Sequence, residues 1–475
     1  MRRLIVALLV ACLAQSVAVG QSGRKKKKDA PPPVPQVPAP ADFRGAVAPP
    51  DAQTLADAKW FEVFRDEKLQ ELIREALFHN YDLREAVARI DAARASLGIT
   101  RAEQFPTAGA GADVNAQRRS RDGAFTIPEP VEQHRTFGSV LTNLFTYEID
   151  VWGRLKKQTA AARADLLASE EARRAVTTTI VGDVAASYFN LRELDFELEI
   201  AQRTLTSRRE SLRIIKLRQE RGVSNLLEVR QAEELVYNAT EVIPAVEQAV
   251  EQQENFISLL TGKSPQAVPR GDELTKQQLP PEVPAGLPSD LLARRPDIRS
   301  AEAELFAADA RIEVARKAFF PRISLTGFLG FESASLSSLF NPSRAIWGFL
   351  PEVSQPIFNG GRLKSNVRFT QAQRDFLLVN YERTIQNAFR EVSDSLVAYR
   401  KVREVRAQRE LLVTTLRDRA RLSYLRYNGG VSNLLEALDA DRELFDAELS
   451  LAQVRRNELL SVVQLYKALG GGWQQ

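Results

Sequence analysis

Few residues in this chain have the types and spacing that covalent or metal chemistry requires. The 475 residues contain two histidines, His79 and His134, and a single cysteine, Cys12. Neither histidine is paired with cysteine or with carboxylates at metal-ligand spacing. The stretch GAGAD lacks the Lys-Ser/Thr pair that follows in a phosphate-binding loop. The sequence therefore predicts no enzyme activity, no cofactor and no metal site.

One set of polar residues does recur at a fixed spacing. The heptapeptide GVSNLLE occurs at Gly222–Glu228 and again at Gly430–Glu436, 208 positions later (430 minus 222). In each copy the glycine can end a helix in the left-handed conformation, and Ser or Asn can cap the next helix. The Asn-x-x-Glu spacing also fits a capping box. Each copy therefore predicts a tight turn between two antiparallel helices.

The repetition extends beyond these turns. GRLK occurs at Gly153–Lys156 and Gly361–Lys364, and the dipeptide Phe-Pro and an LR/IR helix motif recur in the same order. Such self-similarity indicates two internal structural repeats. We predict repeat 1 over residues 57–270, with a β-hairpin at about 106–150 and a helical hairpin at about 154–261. Repeat 2 covers 271–469, with a β-hairpin at about 322–356 and a helical hairpin at about 362–469, and residues 470–475 form a tail.

The first arm of each helical hairpin is unusually long. Residues 154–221 contain no proline and one glycine, Gly182, and residues 362–428 contain neither. Apolar and small residues follow one face of the second arm at steps of three and four, as in a coiled coil. They are Leu378, Tyr381, Ile385, Ala388, Val392, Ser395 and Tyr399. A helix of roughly 65 residues is about 100 Å long.

The segments between the Phe-Pro and GRLK motifs have a different period. Thr107–Gln117 and Arg322–Glu332 alternate small or apolar residues with polar ones, and Phe137–Asp150 and Ile346–Pro356 are their predicted partners. Polar links join the strands, and His134 is placed in such an external loop. Aromatic residues concentrate around the second hairpin: Phe319, Phe320, Phe328, Phe331, Phe340, Trp347, Phe349 and Phe358. Transmembrane β-strands show this pattern, although a soluble, half-buried hairpin shares it.

Four strands are too few to close a barrel, and an open sheet edge is not tolerated in lipid. Three chains would supply twelve strands. The predicted fold is therefore mostly α with a transmembrane β-barrel portion. A long antiparallel coiled-coil helical barrel continues into a 12-stranded β-barrel that a homotrimer builds from four strands per chain.

The N-terminus resembles an export signal. A basic start precedes a short apolar segment, so residues 1–20 form a predicted signal peptide. Alternatively, Leu-Val-Ala-Cys is a lipobox, residues 1–11 are removed and Cys12 is lipidated. Residues 21–56 form a Lys/Pro-rich linker containing Lys25–Lys28. The net charge is only +4 and much of it lies in that lysine run, which does not indicate a partner such as nucleic acid.

Several longer segments have a recognisable pattern: WFEVFRDEKLQELIREAL at Trp60–Leu77, LLARRPDIRSAEAELFAADARIEVARKAFFPRISLTG at Leu291–Gly327, PIFNGGRL at Pro356–Leu363 and the two GVSNLLE turns. These segments resemble the TolC-like outer membrane factor family, in the efflux branch that serves resistance–nodulation–division pumps. The resemblance extends from about Asp57 to the C-terminus. It implies a homotrimeric channel in the outer membrane of a Gram-negative bacterium, extending into the periplasm, with a periplasmic adaptor and an inner-membrane transporter as partners.

The resemblance also assigns roles at the helix turns. It implies that the tips dock the adaptor, namely Gly222, Val223, Ser224, Asn225, Gly430, Val431, Ser432 and Asn433. Acids after the turns and a tyrosine before one of them would narrow the pore, and they align with Glu436, Asp439, Glu228 and Tyr427. An arginine that ties the closed tips in the family aligns with Ser432 here. Arg221, Arg230 or Arg442 could replace it, or closure is weaker.

Narrow rings of acids favour cations and can bind divalent ions, but Glu228 and Glu436 can also be simple helix caps. The leading prediction is a passive, gated exit duct for drugs or other small toxic compounds expelled by an inner-membrane transporter. A protein-secretion (type I) exit channel of the same fold is one alternative. A non-pore periplasmic coiled-coil scaffold is another, and it would need no alternating strands.

Overall fold

A computed structural model describes residues 40, 42–44, 55–118, 120, 128–278, 286 and 288–473. All of them belong to the second of two compact units, residues 37–475. The predicted signal peptide, Cys12 and the lysine run lie outside the described residues. The predicted linker is described only at residues 40, 42–44, 55 and 56.

Most of the described chain is helical. A short α1 (Trp60–Val63) precedes α2 (Glu67–His79) and α3 (Tyr81–Ala102). The longest helices are α4 (Arg154–Glu220), followed by α5 (Leu226–Leu260), and α8 (Arg362–Asn428), followed by α9 (Leu434–Ala468). Between them lie α6 (Pro288–Arg294) and α7 (Pro296–Lys317). We call α4 with α5 the first helical pair and α8 with α9 the second.

The two helical pairs have matching lengths. Helices α4 and α8 each contain 67 residues, and α5 and α9 each contain 35. A 67-residue helix is about 100 Å long. No helix of the described residues combines the length and the apolar character needed to cross a membrane.

The strands form one antiparallel sheet in the order β1-β2-β3-β4. They are β1 (Thr107–Arg118), β2 (His134–Glu148), β3 (Arg322–Ser333) and β4 (Ala345–Ser354). The expectation that His134 lies in an external loop is wrong: it is the first residue of β2 and pairs with Arg118. Ladder pairing extends β2 three residues beyond the alternating stretch that begins at Phe137, which the alternation alone does not show.

The register gives the sheet two chemically different faces. Ala112 lies opposite Val140, which lies opposite Phe331 on the next strand. The row beside it consists of Asp113, Ser139 and Glu332, with side chains on the other face because successive residues alternate. The apolar face continues onto β4, where Phe331 pairs with Ala345. Two residues away on the same face, Leu329 pairs with Trp347, which is 78% exposed.

The sheet and the helices are joined by an aromatic contact. The rings of Trp152 and Phe320 stack with centroids 5.0 Å apart. The indole N–H of Trp152 donates to the carbonyl of Pro321 at 2.8 Å. This contact joins the segment before α4 to the segment before β3, so both hairpins enter the helical region at the same place.

A buried polar cluster holds the N-terminal helices against α4. Asp66 caps α2 by accepting from Lys68 and Leu69, and it also accepts from the Tyr188 hydroxyl at 2.8 Å. Its carboxylate further accepts from the backbone N–H of Asp272, in the segment that links the two halves. These hydrogen bonds lower the pKa of Asp66, although burial opposes the shift.

The prediction of a mostly helical protein with a small sheet is confirmed.

Candidate functional site at the helix turns

Both GVSNLLE segments end a long helix in the same way. Gly222 and Gly430 have φ values of +74° and +73°, the left-handed region that favours glycine. The N–H of Val223 donates to the carbonyl of Arg218 at 2.9 Å, and that of Val431 donates to Arg426 at 3.0 Å. These are the closing bonds of a Schellman motif, so each long helix stops at its glycine.

Asparagine then starts each returning helix. The Asn225 side chain accepts from the N–H of Glu228 at 3.0 Å, and the Asn433 side chain accepts from Glu436 at the same distance. The reciprocal half of a capping box is absent at both described turns. The Glu228 carboxylate accepts instead from the Ser224 hydroxyl. Glu228 therefore serves a local turn contact, as a structural cap would.

Apolar side chains from both helical pairs form a common core just above the turns. It contains the buried residues Ile215, Val229, Ala232, Leu235, Tyr427, Leu434, Ala437 and Leu438. Tyr427 is 8% exposed, and the Arg218 guanidinium lies 4.6 Å from its ring centroid. The predicted gate tyrosine is therefore a core residue within one chain, and it contacts an arginine of the first pair.

The two acids of the second turn differ in their surroundings. Asp439 pairs with Arg442 at 2.5 Å and with Arg419 at 3.4 Å. Glu436 has no ion-pair partner within the described ranges and lines a surface cavity of about 630 Å³ with Arg419 and Arg426. The nearby Ser432 hydroxyl oxygen is buried and lacks a hydrogen-bond partner in the described part of the chain. Glu436 is thus the acid with a free carboxylate.

None of the three arginines considered as replacements at Ser432 joins the helical pairs. Arg230 binds Glu233 and Arg442 binds Asp439, each three residues away on the same helix. Arg221 makes no ion pair with any described residue.

The exposed apolar residues at the turns are Val223, Leu226, Leu227, Val431 and Leu435. They give both tips a surface that a protein partner can cover.

Sequence reasoning missed a buried ion pair that joins the two helical pairs. Arg208 of α4 donates through Nε to Asp441 of α9 at 2.7 Å. Next to it, burial and the Asp441 charge raise the pKa of Tyr424 to about 12. A signal was present in the sequence: 208 positions after Arg208, the other repeat has Leu416. An arginine where the repeat has a core leucine indicates a special contact.

The described residues contain no group of three or more histidine, cysteine or acidic side chains arranged to hold a metal ion.

The family model for outer membrane efflux proteins matches residues 72–263 and 287–471. The chain belongs to this family. It is an outer-membrane component of an efflux system that extends into the periplasm, and its family is one of channels rather than enzymes.

Individual relatives agree with that assignment. The chain is 42% identical over 429 residues to a solvent efflux pump outer membrane protein, SrpC, of Pseudomonas putida, covering 89% of this chain and 90% of the relative. It is 37% identical over 429 residues to the cation efflux system protein CusC of Escherichia coli, covering 89% of this chain and 90% of CusC.

Solved structures show the same fold. A membrane protein of Pseudomonas aeruginosa superposes with a TM-score of 0.83 at 35% identity, covering 91% of this chain and 99% of that one. The open state of the MtrE outer membrane channel of Neisseria gonorrhoeae gives a TM-score of 0.83 at 31% identity, covering 94% and 98%. These comparisons confirm the predicted family and its location in the outer membrane.

Proposed function

We propose that three copies of this chain form a passive, gated exit duct for drugs or other small toxic compounds. An inner-membrane resistance–nodulation–division transporter would supply the compounds through a periplasmic adaptor docked on the helix turns. The observation that carries the proposal is the four-stranded sheet, because it has two unpaired edges and one apolar face.

The sheet is incomplete for a membrane. Within the described residues, the outer edges of β1 and β4 pair with no further strand. Unpaired backbone groups cost several kcal/mol each in lipid, so the edges must be closed by pairing. Pairing β4 of one chain with β1 of the next closes twelve strands in a trimer. The apolar row would then face lipid and the row of Asp113, Ser139 and Glu332 would line a polar channel.

The helical pairs extend that channel. Helices of about 100 Å are long enough to carry it far into the periplasm. Their turns carry acids near a threefold axis in a trimer, where three copies of Glu436 and Asp439 would create a negative potential that favours cations. Glu436 has a free carboxylate, whereas Asp439 is partly neutralised by Arg419 and Arg442. We therefore assign the larger share of the selectivity to Glu436.

The names of the relatives support a small-molecule cargo. They refer to solvent, toluene, antibiotic and cation efflux. This range of compounds among related proteins fits a duct that leaves the choice of compound to the transporter.

The test is planar-bilayer conductance of the detergent-extracted full chain. Wild type is compared with Glu436→Ala, Asp439→Ala and the double variant. The matched control is Asp446→Ala, an exposed acid on the same helix with no ion-pair partner among the described residues. We expect a small, cation-selective wild-type current that rises or loses selectivity with Glu436→Ala and most with the double variant.

A large current that none of the acid variants changes would keep the duct but reduce the acids to helix caps. A folded protein that is soluble without detergent and forms no channel would refute the duct.

A further inference from the structure

Arg208 of α4 is a buried cation that contacts two other helices, α5 and α9. Its residue is 3% exposed. Its Nε donates to Asp441 on α9 at 2.7 Å, and its Nη1 donates to the backbone carbonyl of Leu235 on α5 at 3.0 Å. Its guanidinium lies 4.8 Å from the ring centroid of Phe445, also on α9. A single side chain of α4 therefore holds both its own pair and the returning helix of the second pair.

The Arg208–Asp441 contact lies close enough to the turns to affect their positions. The other described contacts between a basic and an acidic side chain of α4 and α9 lie farther from the turns, at Arg203–Glu448, Arg456–Glu193 and Lys467–Asp183. Asp441 lies only two residues beyond Asp439 and five beyond Glu436. Movement of α9 at Asp441 therefore moves both acids.

The equivalent position of the second pair is filled by an apolar side chain. Its counterpart in the second pair, Leu416, is a buried member of an apolar cluster with Val413, Ala447 and Leu451. A buried ion pair contributes little net stability compared with apolar residues of similar volume, but removing one partner is costly. The Arg208 Nη2 is also buried without a partner in the described part of the chain. An arginine kept at such a cost indicates a role other than stability.

We propose that Arg208 is a positioning residue that fastens the second helical pair to the first and so holds the periplasmic turns closed. The inference rests on the proposed duct. When the Arg208–Asp441 pair is broken, α9 separates from α4 near the turns, the three Glu436 carboxylates move apart and the aperture widens. Arg208 acts through Asp441 and touches no exported compound.

The first readout is bilayer conductance of the full chain carrying Arg208→Met, Asp441→Asn or both. We expect each single variant to raise the open fraction about tenfold, which corresponds to the loss of one coupling of ordinary strength. The double variant should add nothing, because both changes remove the same contact. The control is Arg203→Met: Arg203 is also bonded across α4 and α9, but its side chain is 54% exposed and Glu448 keeps Arg417.

The second readout is the distance between the turns. Spin labels at Val223→Cys and Val431→Cys, both exposed, report the separation of the two tips by double electron–electron resonance. Arg208→Met and Asp441→Asn should lengthen the measured distances, and Arg203→Met should leave them unchanged. Asp441→Asn preserves the side-chain shape and keeps the test decisive if Arg208→Met does not fold.

The outcomes separate this inference from the duct itself. Longer distances in a protein whose wild type and variants carry no current would support the fastening role and refute the duct. Unchanged distances and unchanged current in folded variants would overturn the role of Arg208. The role of Arg208 would also be overturned if the increases in open fraction of the two single variants multiplied in the double variant, because Arg208 would then not act through Asp441.

Discussion

Glu193 is a buried acid of α4 whose protonation should make the stability of the helical region depend on pH. Its residue is 2% exposed, and Arg456 of α9 donates to it at 3.1 Å. Burial, together with the neighbouring Glu197, outweighs Arg456 and raises the pKa of Glu193 from 4.5 to about 8. The native state therefore binds a proton that the unfolded chain releases above pH 4.5.

The sign and size of the effect follow from proton linkage. A carboxyl whose pKa is raised on folding stabilises the protein fully below its unfolded pKa, and this stability is lost as the pH rises through the folded pKa. For a pKa near 8 against 4.5, the free energy of unfolding falls by about 3 kcal/mol per chain between pH 5.5 and 8.5. At about 2 cal/mol/K per residue, this lowers the melting temperature by about 3 °C.

The assay is thermal unfolding of the full chain in detergent, at one heating rate, at pH 5.5 and 8.5. Glu193→Gln carries a permanently neutral side chain, so it should melt like wild type at pH 5.5 and above it at pH 8.5. Glu197→Gln removes the neighbouring charge and should shrink the wild-type difference. Glu458→Gln is the contrasting control. Glu458 is as deeply buried but pairs with Arg406 at 2.7 Å, so its loss should destabilise the protein at both pH values.

Two results would refute this reasoning. One is an undiminished pH-dependent fall in Glu193→Gln. The other is a variant that melts below wild type at pH 8.5, which would mean that the charged carboxylate is bound favourably by Arg456.

Three further predictions concern single contacts. Tyr427→Phe should leave the channel current unchanged, because the hydroxyl bonds to no described residue; an altered current would restore a gating role to the hydroxyl. Tyr427→Ala should lower the free energy of unfolding by about 3 kcal/mol and make the tips sensitive to protease. Asn433→Ala and Asn225→Ala should each destabilise the start of the returning helix by about 1 kcal/mol. The measurement is hydrogen exchange, which should become faster in the first turn of that helix. Unequal losses at the two turns would contradict the equal cap geometry. Trp152→Ala should lower the free energy of unfolding by about 2 kcal/mol, because it removes the stack on Phe320 and one hydrogen bond. Trp152→Phe should lower it less. Both changes are measured as a lower melting temperature.

The helices and their ends could be predicted because local chemistry determines them. A glycine in the left-handed conformation stops α4 and α8, and an asparagine cap starts α5 and α9, within seven residues of sequence. The helical class follows from composition and period. The strand boundaries were less predictable, as at His134, because pairing with the neighbouring strand extends β2 beyond its alternating residues.

The contacts between helical pairs could not be predicted in the same way. Each residue turns a helix by about 100°, so a partner on another helix depends on how the two cylinders are rotated and shifted. Arg442 and Arg230 were plausible ties by sequence distance, yet each binds an acid on its own helix. Arg208, a buried residue that does contact the other pair, lies outside the repeated heptapeptide, and the sequence signals it only through its mismatch with Leu416.

The equal lengths of the two helical pairs have a consequence for how this gene can change. A deletion of seven residues from α4 and α5 alone would raise one turn by about 10 Å relative to the other. The shared core above the turns and the Arg208–Asp441 contact would then fall out of register together. Length variation in these helices is therefore tolerated only when four helical segments change at once. Shortened or lengthened descendants of this chain should carry matched insertions or deletions at equivalent heights in both halves.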